Sequence, residues 1–133
     1  MAKLVLPRVQ AMVLCDKADE SEQENDVFQL SGVRSFMEVL SFPALCPRLC
    51  IFLHISGHEG KANCHIEINR VETEEVIFKT VAKQISLKGP MSVVPVAFRL
   101  RNCVFPAAGV YYVQVFHESK LIGERPLSLH QEN

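Results

Sequence analysis

The sequence has no tryptophan, no apolar run of membrane-spanning length and almost no excess of charge. A helix that crosses a bilayer needs about 20 consecutive apolar residues, whereas the apolar segment Leu49–Leu53 is short. The formal net charge of −1 lacks the surplus of lysine and arginine with which nucleic-acid-binding proteins contact phosphates. We therefore expect no membrane association and no nucleic-acid partner.

Recognisable catalytic motifs are also missing. The chain has no G-x-S-x-G, H-E-x-x-H or G-x-G-x-x-G pattern and no phosphate-binding loop, and its six glycines are scattered. These absences predict a protein that is not an enzyme and that carries no cofactor. The sequence alone assigns no catalytic, cofactor-binding or metal-binding residue.

The cysteine count is odd, so the thiols cannot all pair within the chain. The apolar start Met1–Leu6 is too short for a secretory signal before Pro7 and Arg8 interrupt it. We expect a cytoplasmic protein with reduced thiols that act as packing groups. The five are Cys15, Cys46, Cys50, Cys64 and Cys103.

What is present is an all-β pattern. Short runs rich in valine, isoleucine, phenylalanine and tyrosine recur about every ten residues, separated by glycine, proline and polar clusters. Parallel neighbours would need long crossover connections, usually helical, and helical periodicity is weak. The sequence predicts a single domain over residues 1–133, an antiparallel β-sandwich of about eight or nine strands, with a closed barrel as the main alternative.

The middle of the chain gives the clearest strands. Leu49–Ser56 is almost continuously apolar, as expected for a central strand covered on both faces. A turn is predicted at Gly57–Gly60, then an alternating strand at Ala62–Arg70, and a break at Gly89–Pro90. Pro126 predicts that the last strand lies at an edge. The remaining predicted strands are Val76–Thr80, Ala82–Leu87, Val93–Leu100, Val110–Phe116 and Leu121–Leu129.

An acidic segment, Asp16–Asp26, separates the extended runs Val9–Cys15 and Val27–Leu30, which we interpret as the two arms of a hairpin. The segment holds six acids and one base, a net charge of −5, while the rest of the chain carries +4. A solvated hairpin loop over residues 16–26 is the ordinary interpretation, and calcium binding is the alternative. The segment Val33–Leu40 fits either a strand or a turn of helix.

Metal-ligand residue types cluster between Cys46 and His65. Thiolates and imidazoles bind zinc, but the pair Cys46 and Cys50 has three intervening residues and no matching second pair. A nucleophilic cysteine activated by a histidine is another option, and buried thiols are the simpler one. As an alternative function we keep a small-molecule or metal site, possibly enzymatic, built from His54, His58, Cys64 and His65.

A basic face is predicted where Arg99 and Arg101 alternate with apolar residues, joined by Lys79, Lys83 and Lys88. Such a face suits an acidic partner or simply solvent. Base stacking is not supported, because Phe98 points to the opposite side of its strand.

The segment Phe105–Val115 resembles the corner near the end of immunoglobulin-like sandwiches. Tyr111 stands where a tyrosine corner would place its hydroxyl against the preceding backbone, although Val113 replaces the cysteine of antibody domains. More broadly, residues 7–129 resemble small bacterial proteins of unknown function. The residues that carry this resemblance are the opening strand Arg8–Asp16, the return Leu30–Val33, the Phe42–Pro43 connection, the corner and a final hairpin.

The resemblance implies an immunoglobulin-like fold and leaves the function open. Apolar character on both faces of Leu49–Ser56 suggests burial beyond a single core. We expect a non-enzymatic interaction module that binds a protein partner or another copy of itself, for example by strand addition.

Overall fold

The computed structural model describes residues 5–133, and within them the chain is built of strands with no helix, so the all-β prediction is confirmed. Consequently, no helix in this range could cross a membrane. The strands are β1 (Arg8–Cys15), β2 (Lys17–Glu20), β3 (Phe28–Ser31), β4 (Phe36–Val39), β5 (Ala44–Arg70), β6 (Val76–Lys79), β7 (Lys83–Phe105), β8 (Gly109–His117) and β9 (Lys120–Gln131).

Seven strands form one curled sheet in the order β1-β5-β8-β9-β4, with β6 and β7 also paired to β5. The hairpin β2–β3 is separate. The pair β4–β9 is parallel and the others are antiparallel. The expectation of a wholly antiparallel arrangement is therefore wrong at β4, which joins β9 across four intervening strands and is not constrained by a hairpin turn.

The two longest strands are continuous where the sequence predicts interruptions. Gly57–Gly60 is not a turn but a pair of register irregularities within β5, and β7 likewise runs through Gly89–Pro90. The two sites face each other, since Gly57 pairs with Gly89. β-Bulges bend a strand without ending it, so β5 and β7 bend together at this point.

The bend reverses which residues face the core. In the first half of β5 the buried core residues are odd-numbered, Leu49 to Ile55, and in the second half they are even-numbered, Ala62 to Ile68. Because side chains alternate along a strand, this change requires an irregularity between the halves. Both halves contribute to the same core cluster, joined by Val113 and Val115 of β8 and by residues of β9. The sheet thus curls around one interior.

The first hairpin is placed differently from the prediction. Its first arm is β2, inside the predicted acidic loop, and its second arm is β3, while β1 pairs with β5. The reason lies in β1 itself, which has apolar side chains on both faces: Leu14 enters the main core, whereas Val13 and Cys15 join a second cluster. The loop between the arms is correspondingly shorter than 16–26.

The second cluster explains the doubly apolar central strand. Cys50 and Phe52, on the outer face of β5, pack with Cys15, Ala18 and Ala97, and β3 adds Phe28 and Leu30. The β2–β3 hairpin therefore covers this face within the chain. Burial of Leu49–Ser56 on both sides needs no second molecule.

Strand pairing decides the structure of two further segments. Val33–Leu40 contains the strand β4 rather than a helix. The strand β9 lies between β8 and β4, so Pro126 does not mark an edge strand. Proline is tolerated there because β4 pairs with β9 only from Ser128 onward.

Candidate functional site

The histidines and cysteines of the predicted metal site are not brought together. Cys64 is fully buried in the core, while His65 lies on the opposite face, stacked on Phe116 at 5.3 Å between ring centroids and 2.7 Å from Glu67. His54 and His58 are exposed farther along β5. Residues 5–133 contain no group of three or more potential ligands placed to hold a metal ion.

The acidic segment also does not gather its carboxylates around a common point. Asp16 forms a two-pronged ion pair with Arg34, at 2.6 and 2.8 Å. This hydrogen bonding lowers the pKa of the Asp16 carboxyl. Asp19 pairs with Lys17 at 3.3 Å. These side chains neutralise local cations, and nothing in their placement favours calcium over the solvated-loop interpretation.

The five cysteines are free thiols, and four of them form two cross-strand pairs. Cys15 stands opposite Cys50, and Cys46 stands opposite Cys103. Burial raises the pKa of the thiols of Cys50 and Cys103 to about 12 and that of Cys64 to about 11. A thiol that stays protonated is a poor nucleophile, and Cys15, Cys50, Cys64 and Cys103 are buried among apolar residues.

A cleft of about 210 Å³ lies between β2 and the β5–β7 ladder. Arg48 on β5 and Arg101 on β7 are directly opposed in this ladder, and Arg99 is opposite Cys50. The predicted alternation of Arg99 and Arg101 on one exposed face is observed, with buried Leu100 between them. Arg48 was not predicted, because only the register of two strands far apart in sequence places it here. The cleft is lined by Asp16, Lys17, Ala18, Asp19, Arg48, Leu49, Cys50, Arg99, Leu100 and Arg101.

The lysines of the predicted basic face are partly used within the chain. Lys83 donates a 2.8 Å hydrogen bond to the Ala97 carbonyl and lies 5.2 Å from the centre of the Phe98 ring. Burial, with the charge of Arg99, lowers the pKa of Lys83. Lys88 approaches Asp26 at 3.7 Å. Arg48 and Arg101, by contrast, form no ion pair within residues 5–133.

The edges of the strands differ in whether a side chain donates a hydrogen bond to their backbone. Arg125 donates to the Met12 carbonyl of β1 at 2.8 Å, and Arg99 donates to the Ala18 carbonyl of β2 at 2.7 Å. The terminal strand β4 is paired on one side only, and in residues 5–133 no side chain donates to its backbone. Phe36, the first residue of β4, and Leu40, which follows the strand, are 52% and 78% exposed. An unprotected edge with exposed apolar side chains is a candidate for strand pairing.

The predicted tyrosine contact is confirmed. The Tyr111 hydroxyl donates a 2.6 Å hydrogen bond to the Ala107 carbonyl and accepts one of 3.2 Å from the Ala107 amide. The ring is fully buried and meets Phe105 edge-on, 5.0 Å between centroids. The side chain thus fixes the connection from β7 to β8.

Solved structures share this fold at low sequence identity. An alkylpurine DNA glycosylase, AlkC, from Pseudomonas fluorescens, solved bound to DNA containing an abasic site analogue, matches with a TM-score of 0.56 and 9% identity over 93% of this chain. A β-glucosidase from Listeria innocua matches with a TM-score of 0.55 and 9% identity over 96% of this chain. This chain spans only 30% of the glycosylase and 16% of the glucosidase, so each likeness concerns part of a larger protein.

An immunoglobulin-like protein from Pseudomonas aeruginosa has 15% identity and a TM-score of 0.48, with 93% of this chain and 96% of that one covered. No curated protein matches the chain in sequence. A family model does match, over residues 10–130, which include all nine strands except the ends of β1 and β9. The chain therefore belongs to DUF6941, a family of unknown function.

Proposed function

We propose that the protein is a non-enzymatic, immunoglobulin-like β-sandwich module that associates with a second copy of itself through the edge of β4. The immunoglobulin-like form is supported by the curled sheet around one core and by the hydrogen bonds of Tyr111 at the corner before β8. The interaction role is carried by one observation: β4 has a backbone edge to which no side chain of residues 5–133 donates a hydrogen bond, next to the exposed side chains of Phe36 and Leu40.

The orientation of the β4 backbone follows from its pairing. The Val39 carbonyl accepts a 2.8 Å hydrogen bond from the Glu132 amide, so Val39 faces the β9 side. In a parallel ladder alternate residues direct both backbone groups to the same neighbour. Phe36 and Glu38 therefore direct their N–H and C=O groups away from β9. These are the groups that an added strand would use.

The side chains of β4 favour the same edge. Met37 and Val39 pack on the core, whereas Phe36 and Glu38 are exposed. Two β4 strands placed antiparallel about a two-fold axis would bury Phe36 and Leu40 of both copies, which makes one patch serve as both halves of the interface. A second copy supplies this match without any further partner.

The alternative of a metal or small-molecule site at His54, His58, Cys64 and His65 receives no support. Cys64 and His65 project from opposite faces of β5. The interaction role is therefore the function that the geometry favours.

Sedimentation equilibrium tests the proposal with the chain from about 1 to 200 µM. We expect a reversible dimer in the wild type and in Glu38→Ala, which keeps the outward amide. Glu38→Pro removes this amide without touching the β9 ladder and should be monomeric. A wild type that stays monomeric, or a Glu38→Pro variant that dimerises as strongly as Glu38→Ala, overturns the proposal.

Hydrogen exchange gives a second measurement that does not depend on any variant. The Glu38 amide should exchange fast at low concentration and slow down as the dimer forms, while the Val39 amide stays protected throughout. Exchange of Glu38 that does not change with concentration in a dimeric sample would place the interface elsewhere and contradict the proposal.

A further inference from the structure

We propose that the cleft between β2 and the β5–β7 ladder binds a small phosphate-type oxyanion, held by Arg48 and Arg101. This site lies on strands other than β4 and goes beyond the proposed self-association. Its distinguishing feature is two arginines in register on adjacent strands, with a third, Arg99, next along the same face.

The pairing of Arg48 with Arg101 is unfavourable without a ligand. Directly opposed residues of an antiparallel pair have their Cβ atoms about 4.5–5.5 Å apart, and like charges at such positions repel. Neither arginine forms an ion pair with any carboxylate in residues 5–133. An anion that bridges the two guanidinium groups would replace this repulsion by charge-assisted hydrogen bonds.

The carboxylates that line the cleft are already occupied. Asp16 is held by both prongs of Arg34, and Asp19 is held by Lys17. Asp16 is thus neutralised by a residue outside the cleft lining, and Asp19 by Lys17 within it. The charge of the three arginines is left over, so the cleft has a net attraction for anions.

Arg99 is held in place at one side of the cleft. Its Nη2 donates a 2.7 Å hydrogen bond to the Ala18 carbonyl, and this bond ties β2 to the ladder at the side of the cleft. The guanidinium has five N–H donors in total, so others remain for a ligand. Cys50, 2% exposed, also lines the cleft.

The charge of the cleft favours an anion, and its size favours a small one. The cleft volume of about 210 Å³ leaves room for a phosphate group with a short substituent. Guanidinium groups prefer planar or multidentate oxyanions such as phosphate and carboxylate, and arginines on opposed positions of two strands can bind one phosphate together.

Isothermal titration calorimetry at low salt tests the site with inorganic phosphate, pyrophosphate, phosphoserine and a short phosphoserine peptide. We expect a dissociation constant below about 1 mM for the tightest of these anions, weakening as salt screens the charges. Arg48→Gln and Arg101→Gln should each weaken binding about tenfold, a loss of roughly 1.4 kcal/mol. Arg8→Gln makes the same charge change at an exposed position outside the cleft and should leave binding within about twofold.

The peptide and the free amino acid distinguish the source of the phosphate. Tighter binding of the peptide assigns the site to a phosphorylated protein segment, and equal binding assigns it to a small phosphate ester. Absence of binding to every probe at about 5 mM, or an equal loss of binding in Arg8→Gln, overturns the proposal.

Thermal unfolding gives an independent check that the variants fold. Arg48→Gln and Arg101→Gln should melt at or slightly above the wild-type temperature without phosphate, because the repulsion is gone. Phosphate should raise the melting temperature of the wild type but not that of either variant. A variant that melts at a lower temperature than the wild type without phosphate, and is still stabilised by phosphate, contradicts the role of these arginines in phosphate binding.

Discussion

Phe28 packs against Phe52 with 5.1 Å between ring centroids, and this contact fastens the β2–β3 hairpin over the outer face of β5. Ala18 and Leu30 of the hairpin pack in the same cluster, and Lys88 of β7 pairs with Asp26 in the hairpin loop. A hydrogen bond from Arg99 to the Ala18 carbonyl adds a polar contact, and the Asp16–Arg34 pair beside it is exposed to solvent. Phe28 therefore supplies the aromatic part of the cover over Phe52 in the second cluster.

Replacing Phe28 with alanine should loosen the hairpin and expose the thiol of Cys50. Loss of a half-buried aromatic contact costs about 1–3 kcal/mol. We expect Cys50 to react with a thiol reagent several-fold faster than in the wild type, measured by peptide mapping after labelling. Val27→Ala, at an exposed neighbouring position, serves as the control. Equal labelling of Cys50 in both variants would show that the hairpin does not depend on this contact.

The Tyr111 hydroxyl predicts a second measurable effect. Tyr111→Phe removes both hydrogen bonds to Ala107 and should lower the free energy of unfolding by about 1–2 kcal/mol. Tyr112→Phe is the matched control, because that hydroxyl has no hydrogen-bond partner in residues 5–133. Urea denaturation compares the two variants. A loss in Tyr112→Phe equal to that in Tyr111→Phe would argue against the corner as a stabilising contact.

Much of the local structure follows from the sequence, because it depends on contacts between near neighbours. The alternating pattern of Ala62–Arg70 correctly predicts a strand, whose residues Cys64, Ile66 and Ile68 face the core. The final hairpin of β8 and β9 and the contact of Tyr111 with its preceding corner are predicted for the same reason.

The features that decide the candidate sites could not be predicted in this way. Glycines serve turns and bulges alike, so Gly57–Gly60 does not reveal that β5 continues. Arg48 and Arg101 meet only through the register of β5 and β7, which the bends help to set. The acidic composition around Lys17–Glu20 likewise does not predict the strand found there. Burial of Ala18 and a hydrogen bond from Arg99 stabilise this strand.

The buried thiols predict a loss of stability in alkali. Burial raises the pKa of Cys64 from 9.0 to about 11, so between these values the unfolded thiol is ionised while the folded one stays protonated. The thiol's stabilising contribution is complete below pH 9 and decreases as the pH rises toward 11. The slope is up to about 1.4 kcal/mol per pH unit for each such thiol.

Cys64→Val isolates this contribution. Urea denaturation from about pH 8 to pH 11 should show a shallower decline in the variant than in the wild type. At lower pH the two proteins should differ by a constant free energy of unfolding, and this difference measures the effect of the substitution on packing. Parallel curves over the whole range would contradict the raised pKa of Cys64.

The bend in β5 predicts a steric effect at Gly57. A Cβ atom there would lie 2.6 Å from the Val5 carbonyl oxygen and 2.7 Å from Leu87 Cδ1. Gly57→Ala should therefore cost about 1–3 kcal/mol, as overpacking does elsewhere. His58→Ala, at an exposed neighbour, should be within about 0.5 kcal/mol of the wild type. Thermal unfolding monitored by circular dichroism compares them, and equal melting temperatures would contradict the close approach of Val5.

The position of β5 at the centre of the sheet determines when its ladders can form. Its partners lie on both sides of it in the chain: β1 precedes it, and β6, β7 and β8 follow. During synthesis its last ladder closes only after residues up to His117 have emerged. Because most pairings join distant segments, the chain should fold slowly for its size, on a timescale of milliseconds to seconds. Until that ladder has closed, apolar residues of β5 stay exposed on the growing chain.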